Sequence, residues 1–223
     1  IASTTFYTLN LGTTLGAGQS KIINIGHTTA GSALTTTATN INIGSTSQTI
    51  GTTTVNLGNN GSSDNTVAQT LTISGNLTIN AGTTGGGMLV SKSSPAHAIN
   101  VGGNWTNNNT NGGFSAGAST VTISGAAGST SIFTGSTTFN NLTCTTGSKI
   151  LEFEAGSTQT ISGIININGG SASGRITLQR SGASGTWNID LPSSNRTFNF
   201  INISNSVNID QLTADVRSPV NCT

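Results

Sequence analysis

Charged side chains are scarce: seven Lys and Arg and six Asp and Glu make up 6% of 223 residues, where an ordinary soluble domain carries about a quarter. The formal net charge of +1 excludes the electrostatic footprint of a nucleic-acid-binding protein, and equally a strong attraction to acidic lipid. Long apolar runs are missing as well. None approaches the roughly 20 residues that cross a bilayer as a helix, so membrane insertion is not expected. Three prolines, few Lys or Glu and no apolar stripe at i, i+3, i+4 and i+7 argue against helices. Two Trp and one Tyr leave little with which to stack on a sugar. Only two cysteines occur, Cys144 and Cys222, with no CxxC pair. In an oxidising compartment they would pair with each other, closing a loop of roughly 78 residues, or each with a neighbouring subunit; free or partly buried thiols are the plain alternative. His27 and His97 have no carboxylate or cysteine at ligand spacing, so neither a metal nor another cofactor is expected. Gly85-Gly86-Gly87 lacks the Lys-Ser/Thr end of a phosphate loop and reads as a turn.

What is present is Thr, Ser, Asn and 30 Gly, residues that favour strands and turns over helices. In the first 70 or so residues a short unit recurs: Leu9-Asn10-Leu11-Gly12, Ile23-Asn24-Ile25-Gly26, Ile41-Asn42-Ile43-Gly44 and Val55-Asn56-Leu57-Gly58, at steps of 14, 18 and 14 residues. In each, two aliphatics share one face of a strand, the Asn takes the other, and the Gly permits a turn. From Leu71 onward, short alternating segments recur roughly every 20 to 25 residues. A unit alternating in twos at that period predicts an all-β parallel β-helix, a β-solenoid, with shorter coils near the N-terminus. The expected core ladder is Ile79, Val101, Ile123, Leu142, Ile165, Ile189 and Ile209. A second column over Ile150 to Phe153, Ile176 to Leu178 and Phe198 to Ile201 implies at least two strand faces per coil. Two regions follow, residues 1–70 with the short repeat and 71–223 with the longer one. Charge also steps up along the chain: before Lys149 only Lys21, Asp64 and Lys92 occur.

Ser74-Gly75-Asn76-Leu77-Thr78-Ile79-Asn80, Val101-Gly102-Gly103-Asn104-Trp105-Thr106-Asn107-Asn108 and the segment from Phe153 to Gly163 resemble the repeats of right-handed parallel β-helix surface proteins of bacteria, the haemagglutinin-like and autotransporter-like adhesins. The resemblance covers roughly residues 71 to 210. It implies a stalk, adhesin or scaffold at the cell surface. The early Asn-x-Gly units also resemble the stems of phage tail fibres. The start at Ile1, with no Met or targeting segment, reads as a mature secreted product.

Candidate chemistry is thin. Glu152 and Glu154 stand two apart in a strand, at a separation near that of paired glycosidase carboxylates, with Lys149 nearby to neutralise an acidic edge. Asp190, Asp210 and Asp215 with Arg175, Arg180, Arg196 and Arg217 read as a stacked surface charge ladder rather than an acid–base cluster. Eight Asn-x-Ser/Thr triplets, among them those at Asn76, Asn104, Asn108 and Asn141, are no more than this composition produces by chance; an inward Asn is expected instead to join an amide ladder. Thr-x-Thr strands raise an ice-binding reading, against which stand irregular spacing and the lack of a Thr-x-Thr at one position in successive units. The expected function is therefore structural: a secreted, non-enzymatic β-solenoid that assembles with copies of itself into a fibre, stalk or surface layer, with an adhesive role. The rival is a carbohydrate-binding or carbohydrate-cleaving module resembling a phage tail spike, with surface glycans as partner. Phe6 and Tyr7, the only aromatics before Trp105, mark a strand that either makes a subunit contact by adding to the next copy or folds back on its own first coil.

Overall fold

The computed structural model describes residues 3–11, 21–25, 35–44, 52–57, 68–82, 86–110, 112–210 and 216–217. Among these there are strands and no helix, as β-branched and turn-forming residues dictate. In chain order the first two coils are β1 (Ser3–Leu11) with β2 (Lys21–Ile25), and β3 (Thr35–Ile43) with β4 (Thr52–Leu57). Coil three is β5 (Thr70–Ile73), β6 (Leu77–Ile79) and β7 (Gly86–Ser91); coil four is β8 (Ala98–Val101), β9 (Trp105–Asn107) and β10 (Phe114–Ser115). Coil five holds β11 (Thr120–Ile123), β12 (Thr130–Thr134) and β13 (Thr137–Phe139), and coil six β14 (Asn141–Cys144), β15 (Ile150–Glu154) and β16 (Thr158–Ile161). Coil seven holds β17 (Ile165–Asn168), β18 (Ile176–Ser181) and β19 (Trp187–Asp190); coil eight holds β20 (Arg196–Asn199), β21 (Ile201–Ile203) and β22 (Ser206–Asn208), followed by β23 (Val216–Arg217).

Apart from one break on the third face, strands pair in parallel with their equivalents one coil on, which makes the chain an all-β parallel solenoid with three faces. Face one stacks β5, β8, β11, β14, β17, β20 and β23; face two stacks β6, β9, β12, β15, β18 and β21. The long strand β3 pairs through Thr35–Ala38 with β5 and through Ile41–Ile43 with β6, so it bends across both faces. Face three is built of two separate ladders, β2-β4-β7-β10 and β13-β16-β19-β22. Between them the hydrogen bonding is interrupted, and ring contacts bridge the gap: Trp105, Phe114 and Phe139 lie with centroids 4.9 to 5.9 Å apart.

The register gives coil lengths that differ from the expectation of short coils near the N-terminus. Phe6 pairs with Ala38, 32 residues on, Ala38 with Ile73, 35 on, and Ile73 with Val101, 28 on. The next steps are 22, 21 and 23 residues, Val101 to Ile123, Val121 to Leu142 and Leu142 to Ile165. Then Ile167 pairs with Phe198, 31 on. The early coils are thus the long ones. Their x-Asn-x-Gly units sit two to a coil, since Asn10 pairs with Asn42 and Asn24 with Asn56; the 14-residue steps run from face to face within a coil, and the 18-residue step leads on to the next coil.

The expected ladder is buried at six of its seven positions, from Ile79 at 0% exposure to Ile189 at 5%. It is not one ladder, however. On face one two inward columns run side by side, Leu71–Ile99–Val121–Leu142–Ile165 and Ile73–Val101–Ile123–Cys144–Ile167. Ile79 belongs to face two, and Ile189 to face three, where it stands in register with Gln159. Ile209 is outside the core, 48% exposed. The cause is a one-residue register difference: Ile189 pairs with Asn208, so the pleat turns Val207 and Ile209 outward. A second aromatic stack runs along the axis, with Phe133, Phe153 and Trp187 at centroid distances of 4.7 and 4.1 Å.

At the corner between faces one and two, asparagine carboxamides knit the coils. Asn40 Oδ1 accepts from the Asn76 backbone N–H at 2.7 Å, Asn76 Oδ1 from Asn104 N–H at 2.8 Å, and Asn104 Oδ1 from Ile132 N–H at 2.9 Å. The Gly-Asn pairs of the sequence follow from this packing, because a Cβ on Gly75 or Gly103 would collide with the carboxamide of the coil before. The amide ladder therefore exists, but at the corner and through backbone donors.

Candidate functional site

A cleft of about 430 Å³ opens where face three is interrupted. The end of β9 and the loop after it supply Asn107, Asn108, Asn109 and Thr110, the turn between β12 and β13 supplies Gly135 and Ser136, and Phe114 and Glu154 are also in the lining. Asn107 Nδ2 donates to Ser136 O at 3.2 Å and Thr137 Oγ1 at 3.4 Å, and Asn109 Nδ2 to Gly87 O at 2.7 Å. Glu154 is exposed, and its Oε2 accepts from the Gly135 backbone N–H at 2.7 Å. Glu154 is the one carboxylate among the described lining residues. Glu152 instead accepts from Gln179 Nε2 at 2.8 Å. Of the two, only Glu154 lines the cleft, whereas the two-carboxylate mechanism of glycoside cleavage sets both about one substrate position. Both Trp side chains are fully buried, Trp105 Nε1 donating to Thr137 Oγ1 and Trp187 Nε1 to Ser204 O, each at 3.1 Å. Neither Trp is thus available to the cleft, which Phe114 borders.

Lys149 is not a surface counter-ion. It is fully buried, and its Nζ donates to Ser129 Oγ at 2.7 Å. Burial holds its pKa below the ordinary lysine value. Close by, Cys144 is a buried free thiol whose pKa burial raises, against smaller lowering effects of a Thr146 backbone hydrogen bond and the Lys149 charge. Cys144 occupies the Ile123–Ile167 column as a small apolar side chain. Cys222 lies outside the described residues, so the pairing proposed for it does too. His97 is buried, accepts at Nδ1 from the Gln69 backbone N–H at 2.9 Å, and has its pKa lowered by burial.

Three charged residues of the last third, Arg180, Asp190 and Arg196, have partners or positions other than a stacked charge ladder. Arg180 donates to the carbonyls of Gly182, Ala183 and Gly185, clamping its own loop. Asp190 accepts from Thr160 Oγ1 at 3.4 Å. Arg196 occupies the register position next to Ile165, above an inward column, rather than an outer face. Asp215 and His27 lie outside the described residues, and no cluster of three potential metal ligands occurs among the described ones. Phe6 and Tyr7 fall in β1, whose backbone pairs with β3 of the same chain over most of its length.

Compared with protein-family models, with curated proteins and with solved structures, the chain has no match.

Proposed function

We propose that the chain is an extracellular structural β-solenoid, a building block of a fibre, stalk or surface layer that assembles with copies of itself and has an adhesive role like that of the bacterial surface proteins its repeats resemble. The observation that carries this reading is the parallel ladder, in which strand after strand and two continuous inward columns serve only to extend the rod. Such an architecture gains from length, each coil burying the apolar face of its neighbour. Its end strands carry backbone donors and acceptors on which another copy can add. Electron microscopy with sedimentation on the full chain tests the proposal: fibres or end-to-end oligomers support it, and a monodisperse monomer at all concentrations overturns it. Deleting residues 1–8 then separates the two roles of β1. A folded monomer without fibres supports strand donation, an unfolded product supports self-capping, and undiminished assembly removes β1 from the contact.

The cleft beside Asn108, Ser136 and Glu154 favours a second reading, the binding of a surface glycan without cleavage. Carboxamides, hydroxyls and one carboxylate around an aromatic edge are groups that hydrogen-bond a neutral sugar. Calorimetric titration with oligosaccharides, repeated with Glu154→Gln, checks it; heats that are absent for every sugar class overturn it.

A further inference from the structure

Face one carries a regular outward array that the uneven coil lengths conceal. Its first outward column, in unbroken register, is Thr72–Asn100–Thr122–Thr143–Asn166–Thr197. A second column two residues earlier holds Thr70, Ala98, Thr120 and Asn141. Thr, Asn or Ala therefore recurs at these two positions from coil three to coil six, while Thr-x-Thr itself stands only in coils three and five, in keeping with the sequence expectation; the length differences fall in the loops between strands. All of these side chains are half-buried, and each is flanked in its strand by at least one buried residue that fixes the backbone beneath it.

From β5 to β20 the outward positions of face one bear no charged and no aromatic residue. The other faces differ: face two carries Glu152 and Glu154, and face three Asp190. Neighbouring coils are spaced by about 4.8 Å and residues i and i+2 by about 6.7 Å, so the hydroxyls and methyls form a two-dimensional grid. Several are pinned. Asn100 Nδ2 donates to Thr72 Oγ1 at 3.3 Å and Asn141 Nδ2 to Thr120 Oγ1 at 3.1 Å, which fills an acceptor position of each hydroxyl and leaves its proton for a partner outside. A protein or sugar partner takes aromatic anchors and a charged surface takes counter-charges, and this face offers neither. A grid of hydroxyls and methyls at about these two spacings suits a partner that is itself a lattice of hydrogen-bonding oxygens, such as the surface of ice.

We propose that face one is an ice-binding surface, which orders water on its Thr and Asn columns and adsorbs the chain to growing ice. The proposal is independent of fibre assembly. It is tested by measuring thermal hysteresis and the uptake of labelled full-length chain into a growing ice hemisphere. The wild-type chain is expected to lower the freezing point below the melting point and to enter the ice. Thr122→Lys, and separately Thr143→Lys, place a long cation in the middle of the grid and should abolish both effects while leaving the circular dichroism melt unchanged. Thr106→Lys, the same change on face two, should leave both intact. Exclusion of the wild-type chain from ice overturns the proposal, as does equal loss in Thr106→Lys. Adsorption to an insoluble polysaccharide without any effect on ice overturns it in favour of a different lattice.

Discussion

Replacing Ile165 with alanine should destabilise the solenoid strongly, whereas the same replacement at Ile164, its neighbour in the chain, should leave stability almost unchanged. Ile165 is 1% exposed and lies in register with Leu142 in an inward column; Ile164 is 46% exposed. Truncating a buried isoleucine removes its transfer free energy and leaves a cavity, about 2–5 kcal/mol in total. A solenoid relaxes little around such a hole, because the strands above and below are held by their own ladders. With roughly 2–4 °C per kcal/mol for a chain of this size, a central value of about 3 kcal/mol lowers the melting temperature by about 6–12 °C. At Ile164 the surface change stays within about 0.5 kcal/mol, under about 2 °C. Thermal and urea melts followed by circular dichroism read both variants. Equal effects, or a larger one at Ile164, would refute the reasoning, since that outcome requires β17 to be displaced by one residue with its faces exchanged.

Three further outcomes follow from the buried polar groups and the corner. Lys149→Met should be neutral to stabilising, because it removes a buried cation while conserving bulk. In the native chain the folded lysine pKa lies below the ordinary 10.5, so the unfolded state binds more protons between those values and Lys149 makes stability rise with pH across that window. Urea midpoints taken up to about pH 10.5 should lose this rise in Lys149→Met, and an unaltered slope would place the ammonium in water. His97, with its pKa lowered from 6.5 by burial, acts at the acid end: the unfolded state gains the proton first, so stability falls as pH drops below about 6.5 and through the folded value. That loss should shrink in His97→Gln, and an identical acid limb in both proteins would count against it. Asn104→Ala deprives the Ile132 N–H of its acceptor and should cost about 1–2 kcal/mol in melts; Asn108→Ala, on the exposed cleft loop, is the control and should cost less than about 0.5 kcal/mol.

The parallel solenoid was legible because alternation in twos, β-branched residues and Gly-Asn corners each act locally. Which residues stack on which was not. Register between coils is set by the backbone ladder and by the length of chain extruded at each corner, and extruded loops carry no apolar signal. Val101 and Ile123 were correctly placed in one column, yet Leu142 belongs to the adjacent one, since Val121 is its partner. Ile209 failed for the same reason, by a single residue. The depth of Cys144 is likewise not legible from a lone cysteine; its register with Ile167 makes it a core residue. Lys149 is the clearest case of a residue type misleading, as a lysine beside two glutamates reads as a surface pair whereas its strand entry directs it under Ser129.

Long-range register also decides which surface features exist at all. The cleft arises where β10 and β13 fail to pair, a break that no local motif marks and that buried rings and the side chains of Trp105 and Asn107, rather than backbone hydrogen bonds, span. The Thr and Asn columns are the opposite case: their regularity persists through coils of 21 to 31 residues, because every length change falls outside the paired strands. Lengthening a corner loop therefore leaves the grid intact, at a closure cost that grows only slowly with loop length. Inserting one residue within β11 would turn Thr120 and Thr122 into the core and present Val121 and Ile123 to solvent. Variation that keeps strand length while altering loop length thus preserves the array, which is why its period is visible in the pairing of strands and invisible in the spacing of the sequence.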